Sequence, residues 1–221
     1  MTAPFLSIVI PALNAAAALP GTLAALAGAD EVVVVDGGSG DGTADAAAGL
    51  GARVVTAPRG RGVQLAAGVA AARGRWLLLL HADTVLAPGW REAAAAHMAA
   101  GTGRAGYFRF RLASEDPRAR RLERAVAWRC RFMALPYGDQ GLLIAQSLLR
   151  QVGGVRKLPL MEDVDLVRRL GRKRLALLPA DAVTSPARWE RDGWRRRSLR
   201  NLACLVLWHA GVPPRLIARL Y

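Results

Sequence analysis

Four apolar runs recur through the first hundred residues, and stretches of helical spacing separate them. The runs are "FLSIVIPAL" (5–13), "EVVVV" (31–35), "ARVVTAP" (52–58) and "RWLLLL" (75–80). They are continuous rather than alternating. A strand with one wet face alternates, whereas a strand covered on both faces does not. After the first run, Leu19, Leu23 and Leu26 stand four and three residues apart, which is one helical stripe. The later runs lead into Ala-rich segments, and Pro88 stands near the first turn of "PGWREAAAAHMAA". The order βαβαβαβα on doubly covered strands predicts an α/β fold: a mostly parallel sheet with helices on both faces.

Past Gly101 the pattern changes. "AGYFRFRLAS" (105–114) alternates like an antiparallel or edge strand, and "DPRARRLERAVAWRCRFMAL" (116–135) reads as a basic amphipathic helix. "GDQGLLIAQSLLRQVGGV" is loop, strand and short helix; "LMEDVDLVRRLGRKRLALLP" is helix, turn and strand; residues 188–212 are a final helical region. No linker-like tract or repeat interrupts the chain. The expectation is a single domain over 1–221, with a nucleotide-binding half over 1–100 and a mixed half over 101–221 that completes a site.

Composition narrows the classes. At 52% hydrophobic and 22% charged residues, disorder is excluded. Cys130 and Cys204 cannot form a disulfide framework and fit a reduced, cytoplasmic setting. The opening "MTAPFLSIVIPALN" lacks the basic region of a signal peptide. The longest apolar candidate, "LACLVLW" (202–208), is about a third of the ~20 residues a spanning helix needs. Net charge is +14, which invites nucleic acid, anionic lipid or a phosphate-bearing substrate. All but Lys157 and Lys173 of the 31 basic residues are arginines, so compositional bias spread over a solvated surface accounts for the charge equally well. No basic stretch interleaves with aromatics as in single-strand binders, so nucleic acid is not expected as a partner.

In open α/β sheets, ligands sit beyond the carboxyl ends of the strands. Asp36 directly follows the valine run and Asp83 closely follows the leucine run. Both are expected to project into that crevice from nearby strands. Each offers hard oxygen ligands to a Mg²⁺ or Mn²⁺ carrying a diphosphate. For each, a helix N-cap or Asx turn is the competing reading.

The motifs "SIVIPALN", "EVVVVDGGSGDGT", "LLLLHAD" and "LMEDVDL" occur in that order from Ser7 to Leu166, within a match that runs from about Ser7 to Arg188. Together they resemble family 2 glycosyltransferases of GT-A fold. "LPYGDQG" with "LPLMEDVDLVRRL" is most similar to short, stand-alone bacterial members sometimes labelled selenodomain-associated transferases. A lone glycine-rich turn would carry little weight; four ordered motifs carry much more. The resemblance implies that Pro11, Ala12 and Asn14 line the nucleotide pocket and that Asp36 hydrogen-bonds the donor's base or ribose. It implies that Asp83, the last acid of the family's D-x-D, holds the metal on the diphosphate, and that Asp163 of the "ED" pair is the general base. Single displacement with inversion follows, with a nucleotide sugar as donor. The departures are Ala15 for the usual Glu, Gly37 for the second Asp, Ala66 for an Asn, and His81 for the first acid of D-x-D. His81 either contacts a phosphate or is packed and hydrogen-bonded.

The chemistry asks for charge aimed at a leaving diphosphate and for one carboxylate base. Arg59 or Arg61 in "PRGRG" is placed to reach phosphate, or else is surface. Asp163 falls in a predicted first helical turn, where free N–H groups and the helix dipole favour its ionised form. Glu162 points about 100° aside and orients something, while Asp165 is expected to face solvent. Acidic capping is the competing reading of this cluster. Asp139 and Gln140 suit sugar or acceptor hydroxyls, or plain turn chemistry. Trp189 offers an indole face to a sugar, or closes the domain from an amphipathic helix. The tail combines Trp189, Trp194, Trp208, Arg195–Arg197 and the apolar run 202–208. It is either core packing or a peripheral contact with the inner membrane face, which would give access to a lipid-linked acceptor. Two other classes compete: a nucleotidyltransferase-like nucleotide binder that does not need Asp163, and a basic membrane-surface or polyanion binder. Sugar, nucleotide and acceptor are not legible.

Overall fold

The structure, a computed structural model, describes residues 5–220; residues 1–4 of the opening stretch discussed above lie outside the described residues. The first half runs β1 (Leu6–Ala12), α1 (Leu19–Ala25), β2 (Glu31–Asp36), α2 (Thr43–Gly49), β3 (Arg53–Thr56), α3 (Arg61–Ala71), β4 (Trp76–Leu79), β5 (Thr84–Leu86) and α4 (Trp90–Ala99). The second half runs β6 (Ala105–Leu112), α5 (Pro117–Met133), β7 (Leu142–Ala145), α6 (Gln146–Gln151), α7 (Glu162–Leu170), β8 (Leu175–Thr184), α8 (Ala187–Asp192), α9 (Trp194–His209) and α10 (Pro214–Ile217).

One eight-stranded sheet crosses both halves in the order β3-β2-β1-β4-β7-β6-β8-β5. Strands β3, β2, β1 and β4 are parallel, as their unbroken apolar runs require. Strand β7 then pairs antiparallel with β4 and β6. Strand β6 is therefore interior, antiparallel to β7 and parallel to β8, which removes the edge option. Its polar alternation has another cause: Arg109 and Arg111 share one face, where Arg109 pairs with Asp181 and Arg111 reaches Glu123 at 2.8 Å and Asp181 at 3.5 Å. Strand β1 lies between β2 and β4. Asp36 and the segment carrying Asp83 thus leave tips two strands, roughly 10 Å, apart.

Close packing of α3 on the sheet sets the site. A Cβ on Gly68 would fall 2.3 Å from Val9 Cγ1 and 2.7 Å from Val35 Cγ2, so only glycine lets the helix sit directly on β1 and β2. That contact holds the N-terminus of α3, and with it Arg61, over the carboxyl ends of those strands. The main hydrophobic cluster draws on both halves and includes Trp189 and Trp194. A smaller one joins Leu160 to Cys204 and Ile217, folding α9 and α10 back against the segment that precedes α7.

Candidate active site

Two connected clefts open at the carboxyl end of the parallel strands. The larger, of about 640 Å³, is walled by Pro11, Ala12, Asn14, Arg61, Gln64 and Asp83 among others. The smaller, of about 100 Å³, reaches inward to Tyr137, Asp139, Trp189 and Asn201. Arg61, His81, Asp83, Leu160, Ser185, Arg188 and Arg197 line both and form a common wall.

The glycine-rich loop after β2 spends its side chains on architecture. Asn14, at φ 48°, donates its amide to Ser39 and accepts from the amide of Gly40, while Thr43 and Asp41 accept from the amides of Ala15 and Ala16. Asp36 accepts from the amides of Gly38 and Ser39 and from the Ser39 hydroxyl. Burial raises its pKa, but the Ser39 and Gly38 donors outweigh burial and hold it below the ordinary carboxylate range. At 6% exposure, Asp36 does not line the larger cleft. This corrects the expectation that it projects into the crevice: its oxygens are committed to the turn. Gln64, in contrast, lines that cleft, and its Nε2 clamps the carbonyls of Ala12 and Val35. A Cβ on Gly37 would meet Gln64 Nε2 at 2.9 Å, so a second acid there has no room.

The "ED" pair is aimed by Met161, a non-glycine residue at φ 64° directly before α7. Such backbone is strained and clusters at functional sites. Glu162 is 1% exposed and ion-paired with Arg61 Nε. Arg61 Nη2 also lies 3.7 Å from Asp163, and its Nη1 lies 3.5 Å from His81 Nε2. Asp163 accepts from the amides of Gly138 (2.9 Å) and Val164 (2.8 Å). Burial raises the Asp163 pKa, but Arg61, the Gly138 amide, His81 and the Val164 amide together hold it below its ordinary value. Asp163 is therefore an ionised carboxylate in a cleft.

His81 stands in the common wall. Burial first, and then Arg61, pull its pKa down to about 4 against the opposing pull of Asp83 and Asp163. Its ring is neutral near pH 7 and packed so closely that a Cβ on Gly138 would come within 2.4 Å of its Nε2. Asp139 carries a carboxyl pushed up to about 6, by burial first, with Arg129 opposing and Asp163 adding. The Tyr137 phenol is pushed up to about 12, chiefly by burial.

Three further expectations are corrected. Gln140 is 2% exposed; its amide donates to Phe108 O at 3.0 Å and accepts from Tyr137 N and Cys130 Sγ, so it braces the turn from inside and lines neither cleft. Trp189 gives its ring faces to the core, 6.5 Å from both Phe110 and Trp194, and only borders the inner cleft. Asp165 is 6% exposed and held by Arg156 at 2.9 Å and Arg169 at 2.7 Å; it does not face solvent. Sequence reasoning missed Gln64, Tyr137, Arg188 and Asn201. Of these, only Tyr137 lay inside a motif already singled out.

Among the described residues no cluster of three or more His, Cys, Asp or Glu is arranged to hold a metal alone. What faces the cleft is the Asp83 carboxylate, with Arg188 Nη2 at 3.6 Å, and the His81 imidazole two residues earlier. An ion that keeps waters and phosphate oxygens needs only one or two protein carboxylates. The donor set therefore fits a divalent ion carried on a diphosphate.

Residues 7–151 match the family profile described as Glycosyl transferase family 2. Proteins of Mycobacterium tuberculosis and Mycobacterium bovis described as PGL/p-HBAD biosynthesis glycosyltransferases are 45% identical over 97 residues, which is 39% of this chain. The match spans only 38% of the length of those relatives. Among solved structures, the M. tuberculosis glucosyl-3-phosphoglycerate synthase, in complex with Mn²⁺ and UDP-glucose, aligns with TM-score 0.63 at 21% identity, covering 95% of this chain and 80% of that one. The Rubrobacter xylanophilus mannosyl-3-phosphoglycerate synthase aligns with TM-score 0.57 at 21% identity, covering 81% and 65%. These likenesses carry the fold, which is the GT-A arrangement expected from the sequence.

Proposed function

The chain belongs to glycosyl transferase family 2, and from that premise we propose that it moves a sugar from a nucleotide-sugar donor to an acceptor hydroxyl, with inversion and with Mg²⁺ or Mn²⁺. The observation that carries the reading is Asp163: an ionised carboxylate lining the inner cleft, with Asp83 on the wall that both clefts share. The donor occupies the larger cleft. Pro11, Ala12 and Asn14 border its nucleoside, with Gln64 at the base and Asp36 holding the loop behind. Arg61 and Arg188 face its phosphates. Asp83, with His81 beside it, would hold the metal, which would supply positive charge against the leaving diphosphate. The acceptor approaches through the inner cleft, and Asp163 takes the proton of its attacking hydroxyl. Glu162 positions Arg61. The Mn²⁺ and UDP-glucose of the structural neighbour make a uridine nucleotide the first donor to test.

Asp163→Asn should lower kcat by about 10²–10⁴ while UDP binding, read by calorimetry with Mn²⁺, persists. Unchanged transfer would rule Asp163 out as the base. The product's anomeric configuration, read by NMR, checks inversion.

A membrane contact remains supported by one feature. No helix among the described residues is long and apolar enough to cross a membrane. Trp189, Trp194 and Arg197 are buried and drop out of the argument. What α9 presents outward is Leu199, Leu202 and Val206, at 65%, 56% and 58% exposure, beside exposed Arg195 and Arg196. That is a short apolar stripe with a cationic end. Flotation with anionic liposomes at low salt tests it; a protein left wholly in the soluble fraction ends the idea.

A further inference from the structure

Among the buried side-chain polar atoms without a hydrogen-bond partner among the described residues, four belong to residues that wall the inner cleft: Tyr137 Oη, Asp139 Oδ1, Trp189 Nε1 and Asn201 Oδ1. Buried polar groups in folded proteins almost always find a partner, and each exception asks for an explanation. Others lie elsewhere, Glu162 Oε2 and Trp208 Nε1 among them, but these four sit on residues that share one small cleft with Asp163. They come from the turn before β7 and from α8 and α9, so no single local strain accounts for them. We propose that this cleft seats the acceptor and that its ligand is an uncharged, hydroxyl-rich group: a sugar ring or a polyol. The proposal rests on the glycosyl-transfer reading and adds the chemical class of the acceptor.

The choice of class follows from donors and acceptors. Trp189 Nε1–H only donates, and an ionised Asp139 oxygen only accepts. Tyr137 does either. Asn201 presents an acceptor as placed, and a donor if its amide is turned. A hydroxyl both gives and takes, so adjacent hydroxyls satisfy every member of the set. A phosphate or carboxylate only accepts; it would meet the Asp139 and Asn201 oxygens with nothing to give. An ammonium only donates and would leave the Trp189 N–H unmet.

Charge points the same way. Asp139 forms no ion pair within 4 Å among the described residues, and Asp163 and Asp83 line the same cleft. The arginines nearby are engaged: Arg188 faces Asp83 at 3.6 Å, and Arg197 reaches Asp192 at 3.2 Å. Arg129 lies on the Tyr137 ring, 3.5 Å from its centroid. An anionic head group would approach three carboxylates, on walls whose arginines already face a carboxylate, an aromatic ring or, with donor bound, its phosphates. This separates the chain from its structural neighbour, which has been crystallised with phosphoglyceric acid.

The test compares neutral and anionic probes on the full chain. Methyl glucoside, methyl mannoside and myo-inositol are set against 3-phosphoglycerate and glycerol 3-phosphate. Saturation-transfer NMR is read with and without UDP and Mn²⁺, and UDP release from UDP-glucose is followed with each probe. The expected result is a signal from at least one neutral polyol and none from 3-phosphoglycerate or glycerol 3-phosphate. Asp139→Asn and Tyr137→Phe should each weaken polyol binding by about tenfold and leave UDP binding unchanged. Tyr137→Phe removes one oxygen that has no partner, so the fold is kept and loss of binding is not loss of structure. Stronger binding of 3-phosphoglycerate, silence from every neutral polyol, or variants that bind polyol as well as the parent would each overturn the proposal. If no nucleoside diphosphate binds with Mn²⁺, UDP and GDP included, the glycosyl-transfer reading falls, while the NMR arm without nucleotide still decides what the cleft holds.

Discussion

Replacing Arg61 by leucine tests the hinge of the whole arrangement. Glu162 is 1% exposed and its Oε1 meets Arg61 Nε, while its Oε2 has no partner among the described residues. Breaking such a pair from one side leaves a buried charge alone, which typically costs about 3–5 kcal/mol. The Arg61 side chain is 27% exposed, so water screens part of the interaction and the lower end, about 3 kcal/mol, is expected. For a chain of this length that is about 6–12 °C in Tm. Removing both partners, Arg61→Leu with Glu162→Leu, should recover stability to within about 1 kcal/mol of the parent. The pH dependence carries a sign. Burial already pushes the Glu162 carboxyl above its ordinary value, with Arg61 opposing; without Arg61 it rises further. A group with a raised folded pKa contributes stability that is full below its unfolded value and is lost as pH climbs through the folded one. The Arg61→Leu penalty is therefore small near pH 4 and grows toward neutrality. Urea denaturation at a series of pH values reads all three variants. A loss below about 1 kcal/mol at neutral pH, a penalty that does not change with pH, or a double variant no better than the single would refute the buried-pair reasoning.

Other outcomes follow from the same geometry. Gly68→Ala puts a methyl 2.3 Å from Val9 Cγ1 and should cost about 1–3 kcal/mol or more in the urea midpoint; full stability would mean that α3 does not rest on β1. Gly138→Ala drives a methyl to 2.4 Å from His81 Nε2 on the turn that donates to Asp163; the overlap should cost about 1–3 kcal/mol, and the misplacement should lower kcat about 10²-fold. Asp83→Asn should abolish the Mn²⁺ dependence of UDP affinity in calorimetry while leaving the fold unchanged. Asp139 has a carboxyl at about 6 instead of the usual 3.8, so its folded value is the raised one and its destabilising effect appears as pH climbs through about 6. Asp139→Asn should match the parent near pH 4 and exceed it in stability, by on the order of 2 kcal/mol, above pH 7.

The parallel half was legible because a strand covered on both faces carries few polar residues, so its burial is written into consecutive valines and leucines. Strand β6 was less so. Interior strands can keep a polar face when that face is a charge ladder, and nothing local in "AGYFRFRLAS" reveals that Glu123 and Asp181 wait across from its arginines. The same limit divides the site. Asp83, His81 and Asp163 stand at the ends of elements, where chain direction alone decides that they enter the crevice. Arg61 stands at a helix start fixed by the glycines around it. Gln140 and Asp165 occupy positions that local rules hand to solvent. Which side is wet depends on what lies opposite, and here Phe108 O and Arg156 with Arg169 take the place of water. Asp36 shows the converse: the residue type and the strand end were right, but the amides two and three residues on captured the carboxylate first. Short loops satisfy their own donors before a ligand can compete. A strand-end acid followed by Gly-Gly-Ser is thus a weaker ligand candidate than one followed by Thr-Val, and the contrast between Asp36 and Asp83 is the local rule that would have told them apart.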